Sequence, residues 1–221
     1  MNREYQDSVG LTSCERAPAS LCRPASGRSA FLATLAVCVA VFGLPACTGG
    51  GKSIVSDEMQ LWRGLEVAPE QRCSPYDSND YSYPQSVEAS IVAELGGVFS
   101  PYTCETFAST SETDIEHIVA RSEAHDSGLC AADVEKRKQF ARDLANLTLA
   151  APALNRHEKG SNDAAEWQPE QNKCWFAHTI IAVRQAYDLT IDQREADTLD
   201  KILDSCSSVV IVCETMLPAR R

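Results

Sequence analysis

Six cysteines, Cys73, Cys104, Cys130, Cys174, Cys206 and Cys213, follow an apolar leader, and no two of them form a C-x-x-C pair. The leader and the spacing act together. An exported chain meets an oxidising compartment, where an even set of cysteines reads as up to three disulfides. Zinc knuckles need close cysteine pairs to bring two thiolates onto one ion, and that pattern is missing. The fold is therefore expected to be disulfide-stabilised, with the pairing left open by the sequence.

The leader occupies residues 1–47. Arg16, Arg23 and Arg28 precede the apolar stretch Phe31–Leu44, and Leu44-Pro45-Ala46-Cys47 ends it in mostly small residues. A helix over those fourteen residues is about 21 Å long against a hydrocarbon core of about 30 Å, which suits a secretory signal better than a membrane span. Cys47 after Leu-Pro-Ala resembles the lipobox of bacterial lipoproteins, and that resemblance implies a lipid on Cys47 and a cell-envelope location, with plain secretion as the alternative. Residues 48–58, rich in Gly and Ser, read as a flexible tether, and 59–221 as one domain.

Apolar spacing in that domain predicts mostly helices. Ser86–Leu95 is expected as a helix stopped by Gly96-Gly97, and Asp133–Leu144 as a helix capped by Asp133 that buries Val134, Phe140 and Leu144. Cys174–Tyr187 reads as the main buried helix, and Asp192–Cys206 as a helix opened by an Asp192/Glu195 capping box. Strands are expected at Asp114–Ala120 and Leu147–Ala150, with a short strand or helix turn at Leu61–Val67 and a last strand at Val209–Val212. Pro152 suits the first turn of a helix carrying Asn155. The class is α+β, helix-rich.

The chemistry-bearing residues fall in order along this pattern. Hydrolysing a phosphodiester needs an activated water and a cation against the charge growing on phosphate. His117 is the candidate base, because a neutral imidazole accepts a proton near pH 7. Glu116 and Asn155 offer hard oxygens suited to Mg²⁺. Neighbours on a strand face opposite ways, so both Glu116 and His117 reach one cleft only if twist or a bulge brings them there. Arg121 and Lys159 are phosphate-clamp candidates or partners for the abundant acids. His125 is a substrate contact or a turn cap, and His157 and His178 read as surface or packing residues.

Asp114-Ile115-Glu116-His117-Ile118-Val119, the Asn146-Leu147-Thr148-Leu149 strand and the Asn155-Arg156-His157-Glu158-Lys159-Gly160 helix start resemble the ββα-metal core of the HNH, or His-Me finger, endonucleases. With Phe140-Ala141-Arg142-Asp143-Leu144-Ala145 and Asp163-Ala164-Ala165-Glu166-Trp167, the run is similar to the exported bacterial HNH endonucleases related to the C-terminal domain of GmrSD restriction proteins. The resemblance implies a ββα-metal core with additional packed helices. It implies His117 as general base, Glu116 and Asn155 as ligands of Mg²⁺ (or Mn²⁺ or Ca²⁺), and Asn146 as the residue that fixes the loop and the imidazole. It implies a nucleic-acid substrate, DNA before RNA. A proline often found three residues after the base is Ala120 here.

Charge pulls the other way. The first 47 residues hold four arginines and three acids, so the remainder has 16 basic against 28 acidic groups, net −12. Nucleic-acid binders usually carry the opposite sign. Two readings stand: an exported nuclease that grips substrate through a cation and a local basic cluster, or a non-catalytic lipoprotein binding module on the same scaffold. A monomer is the default oligomeric state.

Overall fold

The computed structural model describes residues 59–214. The leader, the lipobox, the whole 48–58 tether and residues 215–221 lie outside the described residues. Among those described, no helix is long and apolar enough to cross a membrane.

The domain opens with a hairpin, β1 (Leu61–Trp62) and β2 (Leu65–Glu66), turned at Arg63-Gly64, where both residues have positive φ. Helix α1 (Val87–Leu95) ends on Gly96 in the left-handed conformation that glycine adopts without a Cβ penalty. Strand β3 (Asp114–His117) leads into α2 (Arg121–Asp126) and α3 (Val134–Arg142). Strand β4 (Leu147–Ala150) returns antiparallel to β3, pairing Glu116 with Thr148 and His117 with Leu147. A π-helical segment, Leu154–Lys159, follows, and α4 (Lys173–Tyr187) and α5 (Gln193–Leu203) complete the fold.

The main core gathers Phe140, Phe176, Ile180, Val183, Leu199 and Ile202 from α3, α4 and α5, together with Tyr81 and Tyr102. A smaller cluster of Ile91, Ile115, Leu147 and Leu149 seals α1 against the β3–β4 pair. Three disulfides staple the domain: Cys73–Cys130, Cys104–Cys213 and Cys174–Cys206.

Several expectations are corrected. β3 stops at His117 instead of Ala120, because Asn146 replaces the ladder with side-chain bonds at Val119 and Ala120 N-caps α2. Val134 is 42% exposed, since it is the first residue of α3 and faces away from the core. Ser86, an N-cap candidate by its place before the apolar run, is helical in φ and ψ and makes no capping bond. Asp192 does cap α5 through Arg194 N and Glu195 N, but the Glu195 carboxylate pairs with Arg184 rather than completing a box. Val209–Val212 forms no strand. It is tied by Val212 N donating to Asn172 Oδ1 and by the Cys104–Cys213 bond.

Candidate active site

His117 is the last residue of β3 and is buried, with its ring between Phe140, at 6.5 Å and nearly parallel, and Tyr83, edge-on at 5.2 Å. Its Nε2 lies 2.9 Å from Ala141 O. A carbonyl can only accept, so Nε2 carries the proton and Nδ1 keeps its lone pair. Burial, reinforced by the Arg121 charge, depresses the imidazole pKa from 6.5 to about 3. The ring is therefore neutral at neutral pH.

Glu116 emerges from the other face of β3 and is also buried. Lys159 Nζ lies 2.8 Å from its Oε1, with both side chains almost fully enclosed, and donates to His117 O at 3.0 Å. This charged contact satisfies Oε1, so the cation beside Glu116 is already one of the protein's own. Burial raises the Glu116 pKa, and Lys159 opposes that rise.

Asn146 is buried at the start of β4. Its Oδ1 accepts from Val119 N at 2.8 Å and its Nδ2 donates to Val119 O at 3.0 Å. One side-chain amide thus acts as a strand partner for the segment leaving His117. The imidazole itself is fixed by Ala141 O and not by Asn146, which corrects half of the role expected for that residue.

The π-helical segment supplies the opposite wall. Its wider turn, closed by Gly160 N donating to Asn155 O, presents Asn155 to the cleft while Lys159 points to Glu116. Asn155 Nδ2 donates to Asp114 Oδ2, leaving the amide oxygen free of that bond, and Arg156 grips the same carboxylate with two bonds of 2.7 Å.

A cleft of about 560 Å³ joins these groups. Glu116, His117, Arg121, Asn155 and Arg156 all line it, with Tyr76 and Tyr83 on one side. The strand alternation is overcome at the strand end, and both Glu116 and His117 reach the same space. Arg121 sits over the Tyr83 ring at 5.6 Å and is half-buried at the cleft wall. Lys159 is completely enclosed and paired, so the phosphate contact expected of it is not open to it.

His125 is equally closed: Nε2 donates to Ser74 O and Nδ1 accepts from Tyr81 OH, each at 2.8 Å, which makes it a core link rather than a substrate contact. His157 and His178 are exposed. Sequence reasoning missed Asp114, whose pairing with Arg156 spans 42 positions, and Ala141, whose part is played by a backbone carbonyl. The placement of Asp114 two residues before Glu116 was the available signal.

The model for the C-terminal domain of GmrSD restriction endonucleases matches residues 77–201. The chain belongs to that family. The match contains every residue of the cleft just described except Tyr76. An uncharacterized secreted protein of the fungus Arthroderma benhamiae is 33% identical over 123 residues, covering 54% of this chain and 60% of that protein. The chain thus spans about 60% of the length of this curated relative. No solved structure matches.

The donor set of this GmrSD-type domain fits a hard divalent cation. Glu116 contributes a carboxylate and Asn155 an amide oxygen, and both line one cleft. Lys159 already places one positive charge beside Glu116, which lowers the attraction available to a cation.

Proposed function

We propose that the protein is an exported, metal-dependent endonuclease that hydrolyses phosphodiester bonds of DNA, and of RNA as a secondary substrate, on a ββα-metal core formed by β3, β4 and the π-helical segment. The observation that carries this reading is the meeting of His117, Glu116 and Asn155 in one cleft, with the proton of His117 held on Nε2 by Ala141. Membership of the GmrSD C-terminal domain family supports nuclease chemistry.

In this reading His117 Nδ1 removes a proton from the attacking water. Burial keeps the ring neutral with its lone pair available, but also makes it a weak base, so the reading relies on a cation that would acidify the attacking water. A divalent cation held by Glu116 and Asn155, Mg²⁺ or a similar ion, would supply charge neutralisation to the phosphate and its leaving oxygen. Arg121 faces the cleft and offers a cationic contact to a non-bridging phosphate oxygen. Lys159 holds the Glu116 carboxylate and the His117 carbonyl in place, and Asn146 holds the chain at Val119.

Residues 1–47 serve as the export signal, with Cys47 as a lipid attachment point, 48–58 as the tether and 59–221 as the nuclease domain. The secreted relative supports export. The surplus of acidic groups favours one rival, a non-catalytic binding module. Incubating the purified, disulfide-bonded protein with supercoiled plasmid in Mg²⁺ and in EDTA separates the two. Nicking in Mg²⁺ alone, reduced roughly 10²–10⁴-fold by His117→Ala, supports the enzyme. Absence of nicking supports the binding module.

A further inference from the structure

A second group of carboxylates, none of which lines the active cleft, lies where three chain segments meet. Glu70 follows the β1–β2 hairpin, Asp163 sits in the turn after the π-helical segment, and Asp192 caps α5. One carboxylate oxygen from each lies within 4.8 Å of the others. Oxygens around a single Ca²⁺, at about 2.3–2.6 Å from the ion, fall within such a span.

Crowding of acids alone would mean little, but the Asp163 side chain adds an independent sign. It is 1% exposed. Its Oδ1 accepts from Ala165 N at 2.7 Å and Glu166 N at 2.9 Å, while its buried Oδ2 has no hydrogen-bond partner. The nearest cation, Arg194 Nη2, is 3.9 Å away on a side chain that is 69% exposed. Asp192 likewise uses its Oδ1, for the α5 cap, on a side chain that is 15% exposed. Leaving a buried carboxylate oxygen unpaired is costly, so a ligand there gains what the protein does not supply.

Neighbouring charges do not fill that need. Arg184, buried beneath, is spent on Glu123 at 2.7 Å and Glu195 at 2.5 Å. Five acids, Glu70, Glu123, Asp163, Asp192 and Glu195, thus share Arg184, the peripheral Arg194 and, near Glu70, an Arg72 that is already paired with Asp126.

We propose that Glu70, Asp163 and Asp192 form a structural binding site for one divalent cation of the Ca²⁺ type, separate from the active cleft. The donors are all hard oxygens, with no imidazole or thiolate to favour zinc. Three carboxylates from three separate segments displace more water than Mg²⁺, which dehydrates reluctantly, gives up easily, and they need not meet at octahedral angles, which suits the adaptable shell of Ca²⁺ better. Such an ion stitches the segment after β2, the Asp163 turn and the start of α5, beside the backbone bond from Ala68 N to Ile191 O.

The test uses the full folded protein carrying Asn155→Ala, which removes an active-site donor without opening the buried Glu116–Lys159 pair, so its outcome does not depend on the nuclease reading. Thermal unfolding is followed in EDTA and in about 10 mM Ca²⁺, Mg²⁺ or K⁺ at matched ionic strength. For a site of about 10⁻⁴–10⁻³ M affinity, Ca²⁺ is expected to raise Tm by about 3–10 °C, Mg²⁺ less and K⁺ not at all. Isothermal titration is expected to find one Ca²⁺ per chain. Adding Glu70→Gln or Asp163→Asn abolishes the shift, and Glu70→Gln in EDTA melts no lower than its parent because it relieves repulsion. Should Asp163→Asn fail to fold, Glu70→Gln decides alone. No Ca²⁺ shift in the Asn155→Ala protein, or one that Glu70→Gln leaves unchanged, overturns the proposal.

Discussion

His117 is held by a backbone carbonyl, by two aromatic rings and by the burial that keeps it neutral. That burial makes a prediction about stability. The folded imidazole binds a proton only near pH 3, whereas an unfolded one binds it at 6.5, so between those values the unfolded state holds more protons. Stability attributable to His117 is therefore complete above pH 6.5 and falls as pH drops toward about 3. Urea unfolding in EDTA across that range is expected to show a steeper acid loss in the parent than in His117→Gln; parallel curves contradict it. Lys159 carries a second prediction. Its replacement by Met leaves Glu116 buried without its partner, and a loss of about 3–5 kcal/mol is expected from chemical denaturation. A loss within error of zero would show that Glu116 is relieved in some other way. That Glu116, His117 and Asn155 would meet at one cleft was legible because each has a distinctive side chain at a distinctive place in the order. The roles of Ala141 and Lys159 were not: a carbonyl leaves no trace in residue type, and a lysine in a motif does not reveal whether it points inward.

Between β3 and α2 the chain is organised by one amide. Asn146 supplies both hydrogen bonds that a strand neighbour would give to Val119, so the ladder ends early and the chain turns to present Arg121. Asn146→Ala leaves a buried N–H and a buried carbonyl unpaired and is expected to cost about 2–4 kcal/mol in denaturant unfolding. It should also lower cleavage activity at temperatures where the variant is still folded; a variant with unchanged stability would refute this account of the turn. Helices α1, α3, α4 and α5 were readable because apolar spacing, capping aspartates and Gly96 agree with one another. α2 was not, since its six residues bury Glu123 and His125 through distant partners, Arg184 and Tyr81. Val209–Val212 misled because its β-branched run suggests a strand, but it is held by one bond to Asn172 and a disulfide.

The three disulfides divide the work of holding this domain together. Cys104–Cys213 closes the longest loop, with a separation of 109 residues, against 57 and 32 for the other two. Loop-closure entropy of the unfolded chain therefore predicts that the Cys104→Ser/Cys213→Ser pair loses the most stability, on the order of 4–5 kcal/mol; a larger loss from opening Cys174–Cys206 would contradict that ordering. Even cysteine number showed that staples exist, while their pairing required the packed domain. The acidic surplus and the nuclease-like cleft are reconciled if affinity comes from a few local contacts, Arg121 and a cation, rather than from the overall field. The central claim is that His117 and the Glu116–Asn155 donor pair act together on a phosphodiester. Single-turnover cleavage of a plasmid or a labelled duplex, comparing the parent with His117→Ala, Glu116→Gln and Asn155→Ala across a Mg²⁺ titration, tests it most directly. The account predicts Mg²⁺-dependent cleavage by the parent, a loss of roughly 10²–10⁴-fold with His117→Ala at every Mg²⁺ concentration, and partial recovery of the other two at high Mg²⁺. Cleavage that persists in EDTA, or that is unaltered by His117→Ala, would contradict it.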